Sequence, residues 1–267
     1  MKEQSTIFKE LERLIDNNTI KLPSLPVVVA NIEKAIRDDD ASLQEIANII
    51  QTEMTVSSRV LQVANSPALR GSKKITTIKD ALTRVGLTMV KNIVMTIALR
   101  DKFSSKNVEL NEYLFNLFER AVETSYLAYQ VARRNRGIGA NPDVARLAGI
   151  LFNLGQLPVV SYFEQKEFSS IEEVVQHADN LRTDINKILM DKWEISSSIV
   201  DAVCKEEVQS SGVDLGDVLL IVNAYLNNDV IVANALGPQA LSIWKDIDDN
   251  YETDIVAVEC LKLILTR

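Results

Sequence analysis

A single histidine, His177, and two cysteines, Cys204 and Cys260, are all the imidazole and thiol in this 267-residue chain. Those residue types supply most transition-metal ligands and much of the acid-base catalysis that works near neutral pH, so their scarcity removes much of that chemistry. The cysteines lie far apart in sequence and fit no metal-ligand spacing, which leaves them as reduced, buried thiols. His177, in Glu172-Glu-Val-Val-Gln-His-Ala178, reads as a partly exposed helix residue. Glu206 and Glu207 are adjacent, so on a helix they would point about 100° apart and make a solvated helix end, not a paired-carboxylate site. Arg133, Arg134 and Arg136 could hold an anion, but cations also favour the last turn of a helix. The lone Gly137-Ile-Gly139 has no strand before it and reads as a helix connection, with Pro142 opening the next helix. Trp193 and Trp244 read as core residues. The segment Gly149-Ile-Leu-Phe-Asn-Leu-Gly155 is apolar and bounded by glycines.

The elements that would carry these residues are helical. Ser42-Leu-Gln-Glu45 and Ser170-Ile-Glu-Glu173 are capping-box patterns, each followed by apolar residues at spacings of three and four. Thr77 opens a run with Ile78, Ala81, Leu82 and Val85 on one face, Gly86 closes it, and Thr88 caps the next run through Met89, Ile93 and Ile97. Val27-Val-Val29 has strand propensity, but Pro26 suits a first helical position and Ile32, Ala35 and Ile36 continue the helical period. Hairpin turn signals between alternating runs are missing, so the expectation is an all-α protein of about a dozen helices. The polar stretch Ser104-Ser-Lys-Asn107 divides it into residues 1–105, an N-terminal bundle, and 106–267, a C-terminal bundle that begins with a long helix from Asn111 to about Arg134. With 46% hydrophobic and 25% charged residues the composition is that of a globular protein. The absence of a secretory apolar segment or long apolar run leads to the expectation of a cytoplasmic protein away from the membrane. A net charge of −8 argues against non-specific nucleic-acid binding, although Lys73, Lys74, Lys79, Arg84, Lys91 and Arg100 gather around the Gly86 helix pair.

Several segments together resemble the HDOD family in order and spacing. They are Leu22-Pro-Ser-Leu-Pro26, Asp39-Asp-Ala-Ser-Leu43 with Ile46, Ile49 and Ile50, Arg59-Val-Leu-Gln-Val-Ala-Asn-Ser66, and Ile75-Thr-Thr-Ile78 with Ala81, Leu82 and Val85-Gly-Leu87. The resemblance runs through the Gly149 to Gly155 segment and spans about residues 15 to 230. HDOD domains look like degenerate relatives of the metal-dependent HD phosphohydrolases, and the family implies a bacterial all-α signalling module. The Gly149 segment resembles the Gly-Leu-Leu-His-Asp-Ile-Gly signature of those enzymes, with Phe152 and Asn153 where the His-Asp dyad would stand.

By the same resemblance, the first metal-ligating histidine would fall in Glu123-Thr-Ser-Tyr126, the later histidine pair on Glu206 and Glu207, and the closing aspartate near Asn223. Phenylalanine cannot ligate a metal, and a neutral amide is a poor carboxylate substitute. The expectation is therefore a non-catalytic regulator with no metal and no cofactor, acting on a protein partner or a small ligand, with a homodimer compatible with the sequence. Two alternatives stand beside it: a metal-dependent phosphohydrolase with replacement ligands such as Glu123, Asp201 and Glu206, and a nucleic-acid-binding regulator. Asn65 and Ser66, just before Pro67, end a helix. They either satisfy backbone groups in that turn or provide a polar contact between the bundles or to a partner.

Overall fold

The computed structural model describes residues 2–36, 42–66, 69, 72–166, 168–209 and 212–266. Among these, the chain forms α1 (Lys2–Asp16), α2 (Val27–Ile36), α3 (Leu43–Gln51), α4 (Met54–Ala64), α5 (Ile78–Val85), α6 (Leu87–Arg100), α7 (Val108–Arg134), α8 (Pro142–Leu151), α9 (Gln156–Glu164), α10 (Ile171–Lys192), α11 (Ser197–Val203), α12 (Leu215–Leu226), α13 (Val230–Ala235) and α14 (Pro238–Thr266). A short 3-10 turn occupies Arg136–Ile138, and the described residues contain no strand. The all-α expectation holds.

Local chemistry explains many of the helix starts. Ser42 makes a complete capping box with Glu45, Asn107 caps α7, and Asn141 caps α8 ahead of Pro142. Ser170 caps α10, but the Glu173 carboxylate turns to Ser169 and leaves that box half made. Thr77 caps α5 as read, whereas Thr88 caps nothing: Gly86, at φ +89°, both ends α5 and precedes α6, and Thr88 is already inside it. That backbone conformation is one an L side chain rarely adopts, which lets the two helices meet without a loop. Val27 to Val29 are helical, with the Pro26 carbonyl accepting from the Ala30 N–H just ahead of the first helical residue.

The chain divides into two compact units, Met1–Ser24 with Lys102–Asp249, and Leu25–Asp101 with Asn250–Arg267. The break after Asp101 lies close to the polar stretch at Ser104. The assignment of the termini differs from a simple front and back division, because α1 packs on α9 and α10 inside the larger unit. Tyr162 there donates to Glu10, and the Trp193 indole donates to the Pro23 carbonyl. In the smaller unit α2 to α6 pack on one another around Ile32, Ile50, Val60, Ile78 and Val90. In the larger unit α7 is the central helix, with α8 and α12 against it and α9 packed on α10. Pro142–Glu164 is long and apolar enough to cross a membrane by length and composition alone. It is two helices joined by a turn, and 83% of its most apolar window is buried in the protein.

Candidate functional site

Both glycines that bound the Gly149 to Gly155 segment are places where helices touch. A Cβ on Gly149 would lie 2.5 Å from the Ser125 Cα on α7, and one on Gly155 would lie 2.3 Å from the Arg182 carbonyl oxygen on α10. The segment is therefore the end of α8 and a tight turn, pressed between α7 and α10. Its turn is fastened by one buried amide. Asn186 donates to the Phe152 carbonyl at 2.7 Å and accepts from the Gly155 N–H at 2.6 Å.

Phe152, at 1% exposure, is one of the largest fully buried side chains in the protein. The Arg182 guanidinium lies 4.0 Å from its ring centroid, a cation–π arrangement. The same arginine donates to the carbonyls of Phe152 at 3.2 Å and Val203 at 3.1 Å, so it also satisfies a carbonyl at the C-terminal end of α11. Burial lowers the Arg182 pKa, opposed by nearby acidic groups that include Asp179 and Glu206.

Asn153 borders a cavity of about 190 Å³. Tyr113, Asn116, Leu117 and Arg120 line it from α7, Val175, Asp179 and Arg182 from α10, and Asn223 with Asn227 from the end of α12. The spacings of three and four place each set on one helical face. Tyr113 donates to Gln156 at 2.5 Å, and Gln156 in turn donates to Asp179 at 2.9 Å. Burial pushes the Tyr113 and Asp179 groups up from their ordinary values, and Arg182 partly offsets the rise at Asp179. Arg120 donates to Asn227 at 2.8 Å and lies 3.8 Å from Glu123.

The sequence-derived positions thus scatter. Asn153 and Asn223 meet at this cavity, with Phe152 packed beside it under Arg182. Glu206 and Glu207 are exposed in the loop after α11, not at a helix end, and do not line the cavity. In the first-histidine region, Ser125 donates to the Arg146 carbonyl, and Thr124 is fully buried with no hydrogen-bond partner among the described residues. His177 is half-buried and stacks on Phe163 with centroids 5.5 Å apart. Cys204 is buried, which pushes its thiol up to about 11, while the Cys260 side chain lies outside the described residues. Trp193 is core, and Trp244 is half-buried against Tyr225. Arg134 pairs with Asp246 at 3.0 Å instead of standing free at its helix end.

Asn65 is occupied locally. Its amide donates to the carbonyls of Leu61 and Ile75 and accepts from the Ile75 N–H, each at 2.8 Å, which is the backbone-satisfying role open to it in the sequence. Ser66 is buried, and its hydroxyl has no partner among the described residues.

The fold is all-helical, and its glycine-bounded turn at Phe152 and Asn153 packs on an arginine. The HDOD domain pattern matches residues 22–207, and the chain belongs to that family. In overall structure it is similar to a protein from Shewanella amazonensis SB2B provisionally named a metal-dependent phosphohydrolase, with a TM-score of 0.81 and 22% identity over 99% of this chain and 100% of that one. It is also similar to an HDOD domain protein of unknown function from Geobacter sulfurreducens, with a TM-score of 0.66 and 17% identity over 94% and 97% of the two chains. A third likeness, to a provisionally named signal transduction protein from Marinobacter aquaeolei VT8, has a TM-score of 0.64 and 16% identity, covering 99% of this chain and 66% of that one. An uncharacterized protein of Treponema pallidum (strain Nichols) is 22% identical over 212 residues, and the match spans 75% of this chain and 40% of that relative's length.

A metal ion, which the Shewanella name mentions for that protein, does not fit the residues at this turn. Phe152 offers no donor, Asn153 offers a neutral amide, and Arg182 places a positive charge beside both. Among the described residues no three His, Cys, Asp or Glu side chains come together to hold an ion.

Proposed function

We propose that this chain is a non-catalytic HDOD module of bacterial signalling, which acts by binding a protein partner or a small ligand and not by turnover. The observation that carries this reading is the buried Phe152 ring stacked on Arg182 at the dyad position. Metal-assisted phosphoester hydrolysis needs a cation to acidify water and polarise the ester, and a guanidinium at that place repels one. The provisional signalling name of the Marinobacter protein supports the regulatory half of the reading. Net charge of −8 weighs against a nucleic-acid partner.

The test is metal content and turnover in one preparation. Protein purified without chelator should carry less than about one tenth of an equivalent of divalent transition metal and should leave phosphodiesters and nucleotides intact. Stoichiometric metal, with phosphatase activity abolished by Glu206→Ala, would overturn the proposal. Capture of a specific signalling protein by the immobilised chain would identify the partner.

A further inference from the structure

We propose that the cavity at Asn153 binds a small oxyanion, a carboxylate or phosphoryl group on a small molecule, held by Arg120 and the amides of Asn153 and Asn223. The inference rests on the non-catalytic reading, because a metal-bearing site would need the same space.

Asn153 is the first observation. It is 3% exposed and borders the cavity, yet no described residue hydrogen-bonds its side-chain amide. Its amide atoms are not sealed from solvent, so they are open to a polar ligand that enters the cavity. Its neighbour Gln156, equally buried, has both ends engaged by Tyr113 and Asp179, so of these two amides only Asn153 is open.

Charge gives the sign of the ligand. Arg120 and Arg182 are the cationic lining residues and Asp179 is the single carboxylate among them. Asp179 already accepts from Gln156 and faces the charge of Arg182. Arg182 has one nitrogen committed to two carbonyls and contributes chiefly its field. Arg120 is half-buried, and a guanidinium has five donors, more than Asn227 and Glu123 take up. Planar donors of this kind match the two oxygens of a carboxylate or phosphoryl group.

Size limits the ligand. A cavity of about 190 Å³ is below the roughly 300–1,000 Å³ of pockets that enclose drug-sized molecules. It suits a small metabolite or the head of one.

The experiment uses the full chain, with inorganic phosphate and, separately, acetate as probes, chloride holding ionic strength constant. Binding is read by titration calorimetry and by the shift in melting temperature. The expected result is saturable one-to-one binding of at least one probe. Loss of one charge-assisted contact should weaken it about tenfold or more in Arg120→Gln and in the isosteric Asn153→Asp. Asp179→Asn, which removes the opposing charge, should tighten it. Saturation by phosphate alone assigns the site to phosphoryl groups, and saturation by both assigns it to oxyanions generally. No saturable binding of either probe, or binding unchanged in both weakened variants, would overturn the proposal. Arg120 is only half-buried, so Arg120→Gln tests the idea even if Asn153→Asp fails to fold. Metal or turnover in the unaltered protein defeats the non-catalytic reading, whereas an inert, metal-free protein that ignores both anions defeats only the anion site.

Discussion

Truncating Phe152 to alanine measures how much its buried ring contributes to the core. The ring is 1% exposed, and an aromatic side chain of that kind buries about 150 Å² or more. At about 25 cal/mol per Å² its transfer contributes about 4 kcal/mol. The cation–π contact with Arg182 adds about 0.5–1 kcal/mol, and partial collapse of the vacated space takes some of the total back. Arg182 and Asn186 would keep their bonds to the residue 152 carbonyl, so the substitution orphans no backbone group. The expected loss is about 3–5 kcal/mol, read from urea unfolding followed by circular dichroism, with Phe152→Leu losing much less. A loss below about 1 kcal/mol would refute the packing argument, because only a solvated ring can be removed so cheaply.

Other substitutions report on the neighbouring features. Gly155→Ala should destabilise by about 2–3 kcal/mol, since its Cβ would meet the Arg182 carbonyl oxygen at 2.3 Å; a neutral effect in thermal melts would contradict the close approach of turn and helix. Asn65→Ala should lower stability by about 2 kcal/mol through loss of the paired bonds to Ile75, and an unchanged denaturation midpoint would show that water replaces them. Glu164 is held below the usual carboxylate range, first by the Ser105 hydroxyl and then by the Lys106 and Asn107 N–H groups. The advantage of the native chain over Glu164→Gln should thus be full above the unfolded carboxylate value of about 4.3 and fade as pH falls through the lower folded value; an advantage that persists at pH 2 would count against it. Restoring a dyad with Phe152→His and Asn153→Asp together should give no phosphodiesterase turnover, and measurable hydrolysis would show that other ligands suffice.

Cap residues made some helices legible, because Ser42 and Thr77 bond to groups three positions ahead, whereas the caps Asn107 and Asn141 were not read as such. Thr88 misled for a related reason: threonine suits a cap, but the φ of Gly86 had already joined the helices. The tight turn at Phe152 and Asn153 could be picked out by its bounding glycines. The rest of the cavity could not, since Tyr113, Arg120, Asp179 and Arg182 come from helices far apart in sequence. Their spacings of three and four are common to any amphipathic helix, so nothing local marks them. Arg182 was the largest omission, because its partners are carbonyls, which leave no trace in the identity of residues. The grouping of α1 with the larger unit left no local trace either, as it comes from packing against α9 and α10.

The grip of Arg182 on Phe152 has an evolutionary corollary. A histidine at position 152 would inherit the guanidinium that now lies 4.0 Å from the ring, and that charge opposes any cation an imidazole there would recruit. Removing the arginine first would strip a donor from the carbonyls of residues 152 and 203 while the ring still needed its cover. Each single step toward a metal site therefore passes through a chain that is less stable or that still holds a guanidinium beside residue 152. The exchange works as a ratchet, in which the present pair is easier to keep than to undo.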